Sequence, residues 1–294
     1  MSSFISYLIS GISLGSVYAI IALGYTMVYG IAKMLNFAHG DVIMVGSYVV
    51  YVAVSGMGLN PILAILLSII ICTLMGVVIE GVAYRPLRNA ASPLAVLITA
   101  IGVSYLLQNV ALLIWGADTK SFSNVISLPS LKLAGGSIVT GVTIITIIGG
   151  ILIMAGLMLF ISKTKTGQAM LAVSEDKGAA QLMGINVNKT ISITFAIGSG
   201  LAAIAGVLLC SAYPSLTPYT GAMPGIKAFV AAVFGGIGSI PGAFIGGIVL
   251  GILEIFGKAY ISSQMADAIV FGVLIVVLVV KPTGILGKNI QEKV

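Results

Sequence analysis

The sequence predicts an all-α, polytopic transmembrane helical bundle of about eight spans, with short re-entrant half-helices and one cytoplasmic coupling helix. Three observations predict it. Of the 294 residues, 59% are hydrophobic and 7% charged, where a soluble domain carries about 25% charged residues. With mean hydropathy at +1.18, lipid must be the solvent for most of the chain. Apolar runs near the length that crosses a bilayer recur from end to end, and the Lys and Arg residues gather where those runs stop. The net charge of +6 therefore reads as an orientation signal rather than a nucleic-acid surface.

The candidate spans are 4–29, 40–56, 61–83, 93–115, 138–161, 190–212, 241–257 and 267–281, with a short apolar piece, 225–236, before the seventh. The first run is long for a signal-peptide core and lacks a basic leader, so it reads as a retained anchor. Pro61, Pro93 and Pro282 sit at boundaries, where a residue that cannot continue a helix belongs. Cys72 and Cys210 lie inside apolar runs and give neither a disulfide framework nor metal-site spacing. The whole of 1–294 reads as one transmembrane domain with a polar loop at 163–189.

Orientation follows from the cations. Arg85 and Arg88, then Lys163, Lys165, Lys177 and Lys189, then Lys281, Lys288 and Lys293 mark three cytoplasmic regions. Eight alternating spans cannot place all three on one side. Treating 225–236 as a half-helix resolves the conflict, and segment 30–39 in the same role would put the N-terminus inside. A long helix, an irregular stretch and a Gly-rich helix occur near 4–56 and again near 190–257. The irregular stretches run from Met34 to Asp41 and from Phe234 to Gly242. Broken segments in matching positions of two halves point to a substrate path, which makes Asn36, His39, Asp41, Gly236, Gly238 and Pro241 candidates. Gly and Pro are also simply common in membrane helices.

The loop 163–189 is the polar exception between apolar runs. Ser174 is placed to cap a helix that opens on Glu175 and Asp176, since acids suit the positive helix end. Gly184 fits the left-handed position after such a helix. Ala179, Leu182 and Met183 share a face at i, i+3 and i+4. A helix over 174–183 is roughly 14 Å long, a knob for a partner's groove rather than a span. The alternative is a helix lying on lipid, but it has no aromatic anchor.

Other features have two readings each. His39 is the sole histidine. With Asp41 it forms either a functional pair at membrane depth or an interfacial helix start whose side chains cap backbone amides. Gly242-x-x-x-Gly246, Gly247-x-x-x-Gly251 and Gly11-x-x-x-Gly15 suit close helix packing, within the chain, along a pore or against a partner chain in the membrane. Residues Tyr213 to Ser215 and Pro218 to Pro224 read as an outward loop that receives a soluble partner, shapes a gate or is a plain turn. Glu254 and Lys258 form an i,i+4 pair worth a few tenths of a kcal/mol. Glu80 pairs with the basic loop one turn on. Gln108 and Asn109 either line a path or bond a neighbouring helix. No G-x-x-x-x-G-K-[ST] or H-E-x-x-H occurs, and one histidine leaves little for a hydrolytic triad.

Three segments carry a family resemblance: LGYTMVYGIAKMLNFAHGDVIMVGSY (Leu23 to Tyr48), GQAMLAVSEDKGAAQLMGIN (Gly167 to Asn186), and AFVAAVFGGIGSIPGAFIGGIVLG (Ala228 to Gly251) followed by KPTGILG (Lys281 to Gly287). In this order, over essentially the whole length, the chain resembles LivH-type permeases of branched-chain amino acid ABC importers. The resemblance implies a multi-pass permease of the bacterial inner membrane, not an enzyme and without a cofactor of its own. ATP would be bound by two partner ATPase subunits. A second homologous permease and a soluble periplasmic or lipid-anchored binding protein would complete the assembly. It also implies that Glu175, Asp176, Ala179, Ala180 and Gly184 meet the ATPase, with Leu182 and Met183 on the same helix. A permease for urea, a short amide or a sugar, a self-sufficient secondary transporter or channel, and an intramembrane enzyme are the rival expectations.

Overall fold

The computed structural model describes residues 2–88, 92–122, 125–126, 128–132 and 138–287. Eleven α-helices are present among them: α1 (Ser2–Ala32), α2 (His39–Tyr51), α3 (Pro61–Ile79), α4 (Pro93–Trp115), α5 (Gly141–Lys163), α6 (Lys165–Glu175), α7 (Lys177–Leu182), α8 (Val187–Ala212), α9 (Ala222–Gly235), α10 (Ile240–Tyr260) and α11 (Ala266–Val280). A π-turn, Val52–Gly56, prolongs α2. A second, Glu80–Tyr84, followed by a 3-10 turn, Arg85–Leu87, prolongs α3. Two-residue strands pair antiparallel in the connections: β1 (Lys120–Ser121) with β4 (Ser215–Leu216), and β2 (Leu131–Lys132) with β3 (Ile138–Val139).

Helix starts follow local chemistry. Asn60 and Ser92 cap α3 and α4 at the positions before Pro61 and Pro93, accepting from Ile62 N at 2.9 Å and Leu94 N at 3.2 Å. Proline at the first helical position loses nothing, because that amide has no intrahelical partner. Among the described residues six helices are long and apolar enough to cross a bilayer: α1, α3 with its extension, α4, α5, α8 and α10. Of the other two expected spans, 40–56 is a 13-residue α-helix plus a π-turn, and 267–281 is a helix of 15 residues. The piece at 225–236 is a separate 14-residue helix, α9.

The core is built on α1 and α8. Helix α1 packs along α10 and also meets α8, α9 and α5; α8 lies against α3, α1 and α2. Small residues allow it. Gly198, Ser199, Gly200, Ala202, Ala203, Ala205 and Gly206 are all buried on α8. On the α1–α10 seam, a Cβ at Gly11 would sit 2.9 Å from Ile252 Cα, and one at Gly15 2.7 Å from Ile248 Cα. Backbones in such contact leave room for hydrogen only. Gly246 meets Ala231 and Gly235 of α9 in the same way. The G-x-x-x-G pairs are thus taken up within this chain, not by a second permease. Helices α4 and α5 keep most of their apolar surface bare.

The expected basic regions at Arg85 and Arg88 and in the 163–189 loop meet at one end of the bundle, while Lys288 and Lys293 lie outside the described residues. Lys177 Nζ donates to Ala32 O at 3.0 Å, which fixes the C-terminus of α1 at that end. Arg88 Nη1 reaches Asn188 Oδ1, and Arg85 Nη2 donates to Ser192 Oγ at 2.8 Å. Because α1 runs unbroken to Ala32, its first turn lies at the opposite end, where Tyr7 makes an edge-on contact with Tyr260. The expectation that 30–39 returns the N-terminus to the basic side is corrected: the irregular part begins only at Lys33, after α1 has traversed the bundle. The expected repeat is also looser than its sequence pattern. The stretch after Phe234 separates α9 from α10 and does not follow α8, the long helix.

Candidate functional site

The polar loop contains two helices, which corrects the single helix expected over 174–183. Thr164 caps α6, accepting from Gly167 N at 3.0 Å. Helix α6 then turns Met170 and Val173 inward and continues through Ser174. The Ser174 hydroxyl donates back to Leu171 O at 2.7 Å and caps nothing. Asp176 is the cap instead: its Oδ1 accepts from Gly178 N at 2.7 Å and Ala179 N at 2.9 Å. A carboxylate that satisfies two orphan amides at the positive helix end outcompetes a hydroxyl two residues earlier. Glu175 closes α6 and is exposed.

Helix α7 ends as the sequence anticipates. Gly184 has φ +82°. Its N–H donates to Gln181 O at 3.0 Å, and Ile185 N donates to Ala180 O at 3.0 Å, which is the Schellman arrangement. Ala180 is buried and anchors α7 to the bundle, while Ala179 is exposed. Leu182 and Met183 are 91% and 82% exposed. Two bare apolar side chains, at the last residue of α7 and its C-cap, form a compact exposed patch beside lysines and arginines. Next to it lies a groove of about 780 Å³ lined by Arg85, Arg88, Lys177, Gln181 and Gly184 among others.

That groove stands on an ion cluster. Glu80, fully buried, pairs with Arg85 at 3.0 Å and with Arg88, and accepts from Ser192. The expected pairing of Glu80 with the basic loop is thus present, and Ser192 and Asn188 extend it to α8. The Lys177 ammonium is held below its ordinary pKa by burial first, then by repulsion from Arg88 and Lys33.

The expected substrate-path residues form two groups. Asn36, His39 and Asp41 are all buried at the α1–α2 junction. Asn36 Oδ1 accepts from Tyr84 OH at 3.0 Å. His39 stands edge-on to Tyr25 with ring centroids 4.6 Å apart, and its Nε2 has no partner. Asp41 Oδ1 accepts from Gln108 Nε2 of α4 at 2.9 Å. The N-cap residue Ala38 makes no side-chain cap, but the Asp41 carboxylate accepts from its own backbone amide in the first turn, so that part of the second reading holds for Asp41. Gln108 takes its second expected role, bonding a neighbouring helix. Asn109 stays on its own helix, donating to Tyr105 O at 2.8 Å.

Gly236, Gly238 and Pro241 belong to the turn between α9 and α10. Gly236 and Gly238 have φ +105° and +92°. Pro241 opens α10, where Ser239 Oγ accepts from Gly242 N at 3.2 Å. The C-terminal segment clamps this turn: Ile285 N donates to Phe234 O and Leu286 N to Gly235 O, both at 2.9 Å, satisfying carbonyls that α9 leaves open. The two irregular stretches do meet. Asn36 and Ile237 line one crevice of about 10 Å³ with Tyr25 and Tyr29, too tight for anything beyond a water molecule.

Sequence reasoning missed a buried network at the other end. Glu254 binds Lys258 at 2.6 Å, Lys227 at 2.9 Å and Tyr18 OH at 2.8 Å; Lys227 also binds Asp267 at 2.7 Å. The pair at Glu254 and Lys258 is therefore more than local helix support. The signal was Lys227 itself, a cation inside the Gly/Ala-rich run of α9, which needs an acid from elsewhere.

Residues 7–279 match the family described as branched-chain amino acid transport system, permease component. The high-affinity branched-chain amino acid transport system permease protein BraD of Pseudomonas aeruginosa is 46% identical over 304 residues, covering 99% of this chain and 98% of that protein. The corresponding LivH of Escherichia coli K12 is 45% identical over 309 residues, covering 99% and 98%. A probable branched-chain amino acid transport permease protein LivH of Methanocaldococcus jannaschii is 30% identical over 283 residues, covering 91% and 88%. With six span-length apolar helices and matches along nearly its whole length, the chain belongs to the permease-component family of branched-chain amino acid transport systems.

Proposed function

We propose that this chain is the membrane-embedded permease of an ATP-binding cassette importer for branched-chain amino acids, moved by ATPase subunits that grip α7. The observation that carries this reading is the pair Leu182 and Met183, bare beside a basic groove at one end of the bundle. Placing the basic end in the cytoplasm gives an N-terminus outside and a C-terminus inside the bacterial inner membrane. Segment 33–38 and α9 then act as re-entrant pieces, buried in protein where backbone without regular partners is tolerated. Two ATPases, a second homologous permease and a soluble binding protein complete the assembly. The ATPases bind the nucleotide and this chain needs no cofactor.

In this mechanism, ATP binding and hydrolysis displace α7. The rigid joint of Asp176 and Gly184 passes the movement to α6 and α8, and the Glu80–Arg85–Arg88 cluster passes it to α3. Leucine, isoleucine and valine, handed over outside, cross by alternating access along a path that includes Asn36, His39 and Asp41. Glu175, Asp176, Ala179, Leu182, Met183 and Gly184 meet the ATPase, with Ala180 holding the helix from behind.

The test is Gly184→Val in the assembled complex. A side chain at φ +82° is strained by about 1–2 kcal/mol, and no other atom lies within 4 Å of the added Cβ, so the effect stays with the helix end. ATP hydrolysis should continue while leucine uptake falls at least tenfold. Normal uptake by a variant present at wild-type level would remove α7 from the mechanism.

A further inference from the structure

The basic end holds a second cavity, of about 340 Å³, on the other side of Arg88 and Lys177. Its lining is of two kinds. Lys33, Arg88 and Lys177 supply its cationic lining; Tyr29 of α1 and Val96 and Leu97 of α4 are among the residues that supply its apolar lining. The positive charge is not balanced. Among the described residues neither Lys33 nor Lys177 forms an ion pair. Lys177 commits one of its three donors, to Ala32 O. Arg88 has Glu80 and Asn188, but among the described residues its buried Nε has no partner. Cations held this close repel one another unless an anion is shared between them.

The apolar lining identifies the anion's carrier. A small free anion, or an acidic side chain arriving from a soluble protein, has no use for Val96 and Leu97. A phospholipid uses both kinds of lining, with its phosphate on the cations and its chains along the helices. The track for those chains continues past the cavity, since Leu94, Ile98 and Ile101 of α4 are exposed. Basic pockets between spans at the cytoplasmic side are suited to anionic headgroups. We infer that the cleft between the end of α1, the start of α4 and α7 seats the headgroup phosphate of an anionic phospholipid. This goes beyond the transport reading and rests on it only for the level of the basic end in the bilayer. The lipid would brace the segment where α1 ends and α7 is anchored.

The experiment uses the purified full chain in detergent. Phosphatidylglycerol, phosphatidylcholine of the same acyl composition and inorganic phosphate are titrated separately, with bound lipid read by native mass spectrometry and melting temperature read in parallel. Phosphatidylglycerol should bind and raise the melting temperature, and the other two should not. The variant K33Q/K177Q should weaken phosphatidylglycerol binding at least tenfold and K33R/K177R should retain it. Among the described residues Lys33 has no side-chain partner to lose, so K33Q alone keeps the fold and should lose several-fold. Lys165→Gln, outside the cavity, should bind like the wild type. Equal binding by K33Q and the wild type overturns the assignment. So does equal stabilisation by inorganic phosphate, which would make this a small-anion site, or displacement of the lipid when the ATPase binds, which would give the cleft to a partner's acid. None of these outcomes touches uptake, so they are separate from a failure of the transport reading.

Discussion

Lys227 shows best what single residues do in this protein. It is 6% exposed and bridges Glu254 of α10 to Asp267 of α11 from the short helix α9. Removing Lys227 takes one of two cations from Glu254, which keeps Lys258 and the Tyr18 hydroxyl, so the cost lies at or below the lower end of the about 3–5 kcal/mol of a fully broken buried pair. Lys227→Met should therefore lower the melting temperature of the purified chain, and Lys227→Met with Glu254→Gln should recover part of the loss. A double variant as unstable as the sum of the two singles would mean the pair is not coupled. Glu80 behaves differently, because its partners Arg85 and Arg88 follow within eight residues of the chain. That closeness is why the Glu80 cluster was legible in the sequence and the Lys227 network was not: the second takes its members from four helices, and nothing local announces which acid meets which base.

Helix α7 and the α1–α10 seam answer to different forces, and so do their variants. Leu182 and Met183 support no packing within the chain. Leu182→Asp with Met183→Asp should leave the melting temperature of the isolated permease unchanged while its ATPase no longer co-purifies; a fall in melting temperature would show that the patch packs on its own chain. Gly251→Leu should do the reverse. A Cβ there would overlap the backbone of Gly15, so the helices must separate or fail to pair. Overpacking a core typically costs about 1–3 kcal/mol, and contact with rigid backbone places this variant at the upper end or beyond. Size-exclusion profiles should show aggregation in place of the wild-type peak. The end of α7 was legible because a left-handed glycine is dictated by local backbone geometry. Its start was misread because Ser174 and Asp176 are both capable caps, and the choice depends on α6, whose inward face of Met170 and Val173 carries that helix past Ser174.

For the whole molecule, six of the eight expected spans were legible as span-length helices, and the path between them was not. Hydropathy and proline positions located the long helices, since lipid imposes its demand on every one of them. The short ones, α2, α9 and α11, depend on neighbours for burial, so composition alone could not fix their lengths. The N-terminal side was misplaced because Lys33 to Ala38 looks like a crossing in the sequence but begins only after α1 has finished. Cysteine labelling checks the corrected arrangement. Cys72 and Cys210 are both buried, so added cysteines report alone. Ser3→Cys should react with an impermeant maleimide in intact cells, and Lys165→Cys only after permeabilisation; the opposite pattern would invert the topology.

The central claim is that the driving force reaches this bundle from another polypeptide through α7. The most direct measurement is ATP-dependent leucine uptake into liposomes, comparing the complete transporter, the same transporter carrying Leu182→Asp and Met183→Asp, and this permease alone. Uptake by the first only is the predicted result. Undiminished uptake by the α7 variant, or leucine movement by the permease without its ATPase, would contradict it.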